Sequence, residues 1–163
     1  MNKASKLDMR IEYLADHAAL IPVIAMWQQA EFGYLTPSVT IEQRVARLQQ
    51  SLQKGTLPTT LLALSSEDEI VGVASIVATT LTHKHLSPWL SAVFVPAELR
   101  GKGIASALSL RAVEEVRAMG FDQLHLFTPR NESLYARLGW QTIENAKIDN
   151  TPVTIMSRAT NLA

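Results

Sequence analysis

The chain has 163 residues, 47% of them hydrophobic, with 15 basic and 15 acidic side chains and no cysteine, which fits one domain spanning residues 1–163. The balanced charge argues against broad binding to nucleic acid or to an anionic membrane, and the missing cysteines exclude disulfides, thiolate catalysis and cysteine-based zinc sites. The histidines lack HExxH spacing and no apolar run has the length of a signal peptide or membrane span, so we expect a cytoplasmic protein without a metal.

The N-terminal stretch predicts one strand and one helix. The segment MRIEYL, residues 9–14, alternates as a strand does. In the helix that follows, Asp16 is a candidate N-cap and Gly33 a reasonable end. Pro22 fits best in the first turn, which moves the expected start a few residues beyond Asp16.

A second helix and a hairpin come next. Thr40 and Gln43 resemble a capping box, and Gly55 is the expected end of the helix. The runs TTLLALSS and EIVGVASIVAT, residues 59–66 and 69–79, are rich in β-forming residues and flank a polar turn. We therefore expect an antiparallel hairpin.

The second half of the chain alternates strands and helices. The predicted elements are a strand at 89–95, a helix at 103–119, a strand at 121–128, a short helix at 129–139 and a closing hairpin at 140–148 and 151–158. About seven strands and four helices in this order indicate an α/β fold of the mixed, α+β type. The strands on either side of the third helix should form a right-handed parallel crossover.

The stretch VFVPAELRGKGIASAL, residues 93–108, joins a strand to a helix through Arg-Gly-Lys-Gly. A helix N-terminus presents unpaired backbone N–H groups and a partial positive charge, which suits an anion. Gly101 and Gly103 permit close approach of a phosphate, while Arg100 and Lys102 add charge. The glycines also fit a plain turn, and the nucleotide motifs GxxxxGK[ST] and GxGxxG are not satisfied.

The same stretch resembles the cofactor-binding motif of the GNAT superfamily of acyl-CoA-dependent N-acetyltransferases. That motif is Arg/Gln-x-x-Gly-x-Gly/Ala after a strand ending in Val-x-Pro, and Arg100, Gly103 and Ala105 occupy its defined positions. The resemblance is strong over residues 89–140 and implies a GNAT-like acyl-CoA N-acyltransferase fold with splayed central strands. The loop amides would hold the coenzyme A pyrophosphate, and the backbone of Val93 and Val95 would pair with the pantetheine arm. The implied cofactor-binding residues are Val93, Phe94, Val95, Arg100, Gly101, Lys102, Gly103, Ile104, Ala105, Ser106 and Thr128.

The segment LYARLGW, residues 134–140, is the second candidate feature. It fits an ordinary amphipathic helix, and it also resembles the GNAT segment whose tyrosine protonates the departing coenzyme A thiolate. The resemblance therefore implies that Tyr135 is a general acid and that a backbone N–H, such as that of Val93, stabilises the oxyanion. Many relatives carry an asparagine seven residues before this tyrosine, where Thr128 stands here.

The general base is not obvious from the sequence. Many GNAT enzymes carry a glutamate on or near the strand before the cofactor loop, but WLSAVFV has no carboxylate. The candidates are Glu31, His83, His85 and His125. A solvated helix-end carboxylate, solvated loop histidines and a structural strand histidine are the alternatives for them, and a water relay without a single base stays open.

The resemblance implies transfer of an acetyl group from acetyl-CoA to a primary amine by direct attack, with no covalent enzyme intermediate. Polyamines, aminoglycoside-like amines, amino acids and peptide N-termini stay open as acceptors, and a homodimer is a further implication of the family. A non-catalytic acyl-CoA-binding sensor is the alternative function. A nucleotide-binding domain is a third, weaker one.

Overall fold

The structure is a computed structural model that describes residues 8–161. Its strands are β1 (Met9–Tyr13), β2 (Thr59–Ser65), β3 (Ile70–Val77), β4 (Trp89–Phe94), β5 (Gln123–Thr128), β6 (Gln141–Ile148) and β7 (Thr151–Ala159). Its α-helices are α1 (Ile21–Phe32), α2 (Ile41–Gln50), α3 (Ile104–Ala118) and α4 (Glu132–Arg137). These elements confirm the predicted mixed fold. Within residues 8–161, no helix combines the length and the apolar character needed to cross a membrane.

All seven strands of the described range form one sheet, in the order β1-β2-β3-β4-β5-β7-β6. The β4–β5 pair is parallel, as the helix between these strands predicts, and the other neighbours are antiparallel. The predicted hairpins β2–β3 and β6–β7 both form. Because β7 lies between β5 and β6, the parallel pair sits near the middle of the sheet, away from both edges.

The start of the first helix differs from one prediction and agrees with another. Asp16 is not the N-cap, because it belongs to a 3₁₀ turn and its carboxylate accepts a hydrogen bond from Lys54 Nζ at 2.8 Å. The N-cap of α1 is Leu20, which makes no side-chain cap, and Pro22 occupies the first turn as expected.

The second helix begins as predicted and ends early. The backbone N–H of Gln43 donates to Thr40 Oγ1 at 3.1 Å and the backbone N–H of Thr40 donates to Gln43 Oε1 at 2.8 Å, which confirms the capping box. The helix ends at Gln50 rather than near Gly55. The backbone N–H of Ser51 closes the last turn onto the Leu48 carbonyl at 3.0 Å, and the Ser51 hydroxyl also donates to that carbonyl at 2.7 Å.

Helices cover both faces of the β1–β4 part of the sheet. Leu61 of β2 belongs to the core cluster that contains α3, whereas its neighbour Leu62 belongs to the cluster that contains α1 and α2. Successive strand residues point to opposite faces, so the continuous burial of β2 follows from helices on both sides. The loop before α3 therefore leads into the helix that covers the face opposite α1 and α2.

Gly72 of β3 lets α3 approach the sheet closely. A Cβ atom at this position would lie 2.7 Å from Cγ2 of Ile104 and 3.0 Å from Cδ1 of Leu108. Both are core residues of α3, and Ile104 is its first residue. The missing side chain at Gly72 thus sets how deep the start of α3 sits against the sheet.

Candidate functional site

The centre of the sheet opens at β4. Ser75 of β3 is opposite Ser91, but Val73 is opposite Phe94, so β4 carries one extra residue between these two pairs. Ala92 within this bulge has a φ of +55°, a conformation rare for a residue with a side chain. Such a bulge disrupts the ladder and leaves backbone groups unpaired, as a ligand binding along the strand requires.

β4 and β5 diverge from each other. Among the described residues, the parallel ladder between these strands has one paired position, Trp89 with His125. Beyond it, the two strands leave a cleft of about 920 Å³. We divide its lining by place in the chain into two walls, one made of residues from β4 to α4 and the other of residues from α1 to β3.

The cleft brings together most of the residues that the sequence singled out. Those that line it are Glu31, Val93, Phe94, Val95, Arg100, Gly101, Gly103, Ile104, Ala105, Ser106, Thr128 and Tyr135. Lys102 and the three candidate histidines do not line it. Residues from two distant parts of the sequence, α1 and the segment from β4 to α4, therefore meet at one site.

The loop before α3 presents its backbone to the cleft. Gly101 and Gly103 have φ values of +81° and +86°, and Gly103 is the N-cap of α3 without a side-chain cap. The first amides of a helix have no intrahelical partners, and this end carries a partial positive charge. Arg100 stiffens the loop because its Nε donates to the Val95 carbonyl at 3.0 Å.

Glu31 faces the loop before α3. Its Oε1 lies 3.7 Å from Nη2 of Arg100, and both side chains are partly exposed. This pair joins the end of α1 to the loop before α3 across the cleft. An anion bound by Arg100 would compete with the Glu31 carboxylate for this arginine.

Tyr135 lies at the cleft with most of its side chain buried. It is 5% exposed, and its ring stands edge-on to that of Trp140 at a centroid distance of 5.8 Å. Burial raises the pKa of its phenol to about 12. The phenol is protonated at neutral pH, as a proton donor must be, and the raised pKa makes it a weaker acid than a solvent-exposed tyrosine.

Thr128 organises the turn that leads to Tyr135. Its Oγ1 accepts hydrogen bonds from the backbone N–H groups of Asn131 at 2.9 Å and Arg130 at 3.4 Å. α4 begins at Glu132, three residues after Pro129, because this threonine closes the turn first. The hydroxyl proton of Thr128 stays available for a ligand in the cleft.

His125 is held in the sheet. It is 6% exposed, its Nδ1 lies 3.0 Å from the carbonyl oxygen of Pro88, and its ring packs on Trp89 at 5.6 Å. A carbonyl accepts only, so Nδ1 carries the proton. These contacts describe a structural histidine beside the base of the splayed strands.

His83 and His85 lie in the loop between β3 and β4, outside the cleft lining. Nε2 of His83 is 2.8 Å from Oε1 of Glu144, and Nδ1 is 2.6 Å from Oγ1 of Thr82. The rings of the two histidines are 5.8 Å apart. His83 thus connects this loop to β6.

A buried chain of hydroxyl groups reaches the cleft, and sequence analysis missed it. Ser75 Oγ lies 2.7 Å from Thr60 Oγ1, which lies 2.7 Å from Ser51 Oγ. Ser51 donates to the Leu48 carbonyl, so Thr60 must donate to Ser51 and Ser75 must donate to Thr60. Ser75 lines the cleft, and its oxygen there can only accept a hydrogen bond.

The cleft is basic although the chain is neutral. The basic side chains that line it are Arg44, Arg47, Lys84, Arg100, Arg130 and Arg137. Glu31 is the one acidic side chain among the described lining residues. A cleft lined by one sign of charge attracts ligands of the other sign, which here are anions. No motif marks this set, because its members come from four separate segments.

The sequence of this chain matches one family model and one curated relative. Residues 58–142 match the family model described as acetyltransferase (GNAT) domain. The uncharacterized N-acetyltransferase YjgM of Escherichia coli (strain K12) is 36% identical over 84 residues, which cover 49% of this chain and 50% of that protein. The chain thus matches about half the length of this relative.

Solved structures match over nearly the whole chain. The crystal structure of an aminoglycoside 6'-N-acetyltransferase complexed with coenzyme A aligns with a TM-score of 0.75 at 13% identity, covering 94% of this chain and 98% of that one. A spermidine N-acetyltransferase from Vibrio cholerae, in complex with coenzyme A and spermine, aligns with a TM-score of 0.71 at 12% identity, covering 94% and 96%. At these identities the likeness concerns the fold.

Proposed function

This chain belongs to the GNAT acetyltransferase family, and from that premise we propose that it transfers an acetyl group from acetyl-CoA to a primary amine. The observation that carries the proposal is the cleft between β4 and β5, where an uncapped helix N-terminus and a protonated, buried tyrosine face one space. The two features match two parts of an acyl-CoA, its pyrophosphate and its thioester.

The loop from Arg100 to Ser106 fits the pyrophosphate. Its glycine positions keep side chains away from the amides, and nothing lies within 4 Å of where a Cβ of Gly101 would be. The Nε–H group of Arg100 donates to the Val95 carbonyl, and its other N–H groups can form a charge-assisted contact with the pyrophosphate. The bulged β4 backbone near Val93 suits the pantetheine arm, which carries amide groups that need partners.

Two groups of the chain support the reaction itself. The amine attacks the thioester carbonyl, the carbonyl oxygen becomes an oxyanion, and the C–S bond then breaks to release a thiolate. We assign the oxyanion contact to the backbone N–H of Val93 in the bulge and the proton for the sulfur to Tyr135. The phenol is the weaker acid in isolation, so its proton moves as negative charge builds on the sulfur rather than before.

The amine also loses a proton. Glu31 is the candidate that we retain for this step, because it is the one of the four that lines the cleft. Its contact with Arg100 places it on the cofactor side, so water between Glu31 and the amine completes the path. Replacing Glu31 by Gln should lower kcat; an unchanged kcat removes Glu31 from this role.

The test of the function is direct. The purified protein is incubated with acetyl-CoA and a panel of primary amines, free thiol is measured, and the N-acetylated product is identified by mass spectrometry. We expect thiol release that depends on the amine. Tight acetyl-CoA binding without turnover of any amine would favour the sensor function, and thermal stabilisation by ATP in preference to coenzyme A would favour a nucleotide-binding domain.

A further inference from the structure

Arg44 of α2 is a buried cation that lines the cleft. It is 7% exposed. Its Nε donates to Oε1 of Gln29 at 2.8 Å and its Nη2 donates to Oγ1 of Thr36 at 3.0 Å. Both partners are neutral, and no carboxylate within residues 8–161 forms an ion pair with this guanidinium.

Such an arrangement is unusual for a charge inside a protein. Buried charges are normally paired, because removal from water costs far more than neutral hydrogen bonds return. Burial, together with the nearby charge of Arg47, lowers the pKa of Arg44 from its ordinary value. The guanidinium nevertheless stays protonated at neutral pH, so an anionic partner would offset the cost of burying it.

One nitrogen of Arg44 remains free for that anion. Nη1 donates no hydrogen bond to a described residue, and it is not among the described polar atoms that are sealed from solvent without a partner. A guanidinium binds a carboxylate through parallel N–H groups, and Nη1 is the nitrogen of Arg44 that is not engaged by Gln29 or Thr36. The two neutral contacts hold the other side of the fork in place.

The surroundings of Arg44 favour an anion and disfavour a cation. Arg47 lies three positions further along α2, on the same side of the helix, and also lines the cleft. The one acidic lining residue, Glu31, already faces Arg100. A polyamine or an aminoglycoside would find two arginines and no unoccupied carboxylate on this wall, at least among the residues described.

The contacts of Arg44 distinguish it from the loop before α3. Its side chain bonds to Gln29 of α1 and to Thr36 after that helix, and no described residue of the loop before α3 forms a hydrogen bond or ion pair with it. An amine that enters along α2 would meet Arg44. We propose that the acceptor is an amine that also carries a carboxylate, as an amino acid does, and that Arg44 binds this carboxylate. This inference rests on the proposed function.

The experiment compares matched acceptors. Common L-amino acids are each tested beside the corresponding α-carboxamide, with spermidine as a polycation, and kcat and KM are measured at saturating acetyl-CoA. We expect kcat/KM of the best amino acid to exceed that of its amide on the order of 10- to 100-fold, the range of a charge-assisted hydrogen bond to a carboxylate. A wild-type enzyme that turns over the amides equally well, or spermidine best, overturns the proposal.

Variants then assign the preference to Arg44. Arg44→Gln should raise KM for the amino acid until it matches its amide, while KM for acetyl-CoA stays within a few-fold of wild type. Arg44→Lys keeps the charge and most of the stem but loses the fork, so it should recover part of the preference. A ratio of acid to amide that survives Arg44→Gln would contradict the assignment.

Two controls keep the outcome decisive. Arg117→Gln, an exposed arginine in the last turn of α3 and outside the cleft lining, should leave the ratio unchanged. Circular dichroism and acetyl-CoA binding show whether Arg44→Gln is folded, and if it is not, the wild-type ratio and Arg44→Lys decide. Should no amine be acetylated, the proposed function fails, and calorimetric binding of amino acids against their amides in the presence of coenzyme A still tests the carboxylate site.

Discussion

The two walls of the cleft are built from different parts of the polypeptide. The wall from β4 to α4, where we propose that acetyl-CoA binds and which we call the cofactor wall, presents much backbone: the bulge at Ala92, the amides after Gly101 and the start of α3, beside the side chains of Arg100 and Tyr135. The opposite wall is made of side chains, chiefly Arg44 and the hydroxyl of Ser75. A site built from backbone N–H and C=O groups keeps its ligand when side chains change. A site built from side chains can change its specificity by single substitutions.

Besides the packing of Trp27 on Phe94, two polar contacts join these walls. Arg100 faces Glu31 at 3.7 Å, and Nη2 of Arg130 donates to the hydroxyl of Tyr34 at 3.2 Å. Both pairs are partly or largely exposed, so each contributes little to stability. Their value is positional, because each holds an α1-side residue close to a loop of the cofactor wall.

The largest effect is expected at the cofactor wall, from Tyr135→Phe. Loss of a general acid costs about 100-fold or more in rate, whereas the ring still fills its place against Trp140. We expect kcat to fall by this factor with KM for acetyl-CoA within a few-fold of wild type, measured by thiol release. Tyr34→Phe, at the other wall, is the matched control and should keep most of kcat. Equal kcat in wild type and Tyr135→Phe would remove Tyr135 from catalysis.

The burial of Tyr135 also predicts a stability change at alkaline pH. The phenol has a pKa of about 12 in the folded state against about 10 when unfolded, so its contribution is complete below pH 10 and disappears as the pH rises towards 12. The loss approaches about 3 kcal/mol, and near pH 11 about half of it should appear. Urea unfolding of wild type and Tyr135→Phe isolates this share, and parallel pH dependence of the two proteins would contradict it.

Gly72→Ala tests whether the depth of α3 controls the cofactor wall. The new methyl group would lie 2.7 Å from Cγ2 of Ile104, so the start of the helix must move. Overpacking of this kind costs about 1–3 kcal/mol, and we expect acetyl-CoA affinity to fall with it. Combining it with Ile104→Ala should destabilise by less than the sum of the two single changes, because the clash is removed. Additive losses would show that the contact is not the cause.

The smallest effect is expected from Gly101→Ala, compared with Gly120→Ala. The comparison separates the cost of strained backbone from a loss of coenzyme A binding by the loop before α3. Gly101 and Gly120 have φ values of +81° and +96°, and nothing lies within 4 Å of a Cβ at either position. Each change to Ala should cost about 1 kcal/mol in unfolding free energy through the strained backbone. Only Gly101→Ala should also weaken coenzyme A binding, by a few-fold, in calorimetry. Weakening of the same size by Gly120→Ala would indicate a general loss of stability.

Much of the cofactor wall could be predicted because backbone geometry leaves marks in the sequence. Positive φ values favour glycine, and the end of a strand before a loop tolerates proline. A tight turn between a strand and a helix therefore contains both residue types. The Thr40–Gln43 box was predictable for the same reason, since capping depends on residues three apart. Asp16 shows the limit of such local rules, because a 3₁₀ turn takes it away from the helix start.

The opposite wall could not be predicted in this way. The hydroxyl chain joins Ser51, Thr60 and Ser75, which come from a helix end and two strands and share no spacing. The ring of His125 alternates with leucines in a pattern that allows it to face the cleft, but its Nδ1 finds the Pro88 carbonyl instead. Which neighbour a side chain meets depends on strand register and packing, and neither is encoded within a short window.

By itself, the sequence determined the mixed fold, the order of the elements and the glycine-rich loop before α3, because periodicity, caps and turn residues act over a few positions. Only the tertiary structure decided that β4 and β5 separate after Trp89, that Glu31 meets Arg100 and that Arg44 is buried beside the cleft without an acidic partner among the described residues. These facts depend on residues far apart in the chain, brought together by the burial of apolar surface on both faces of one sheet.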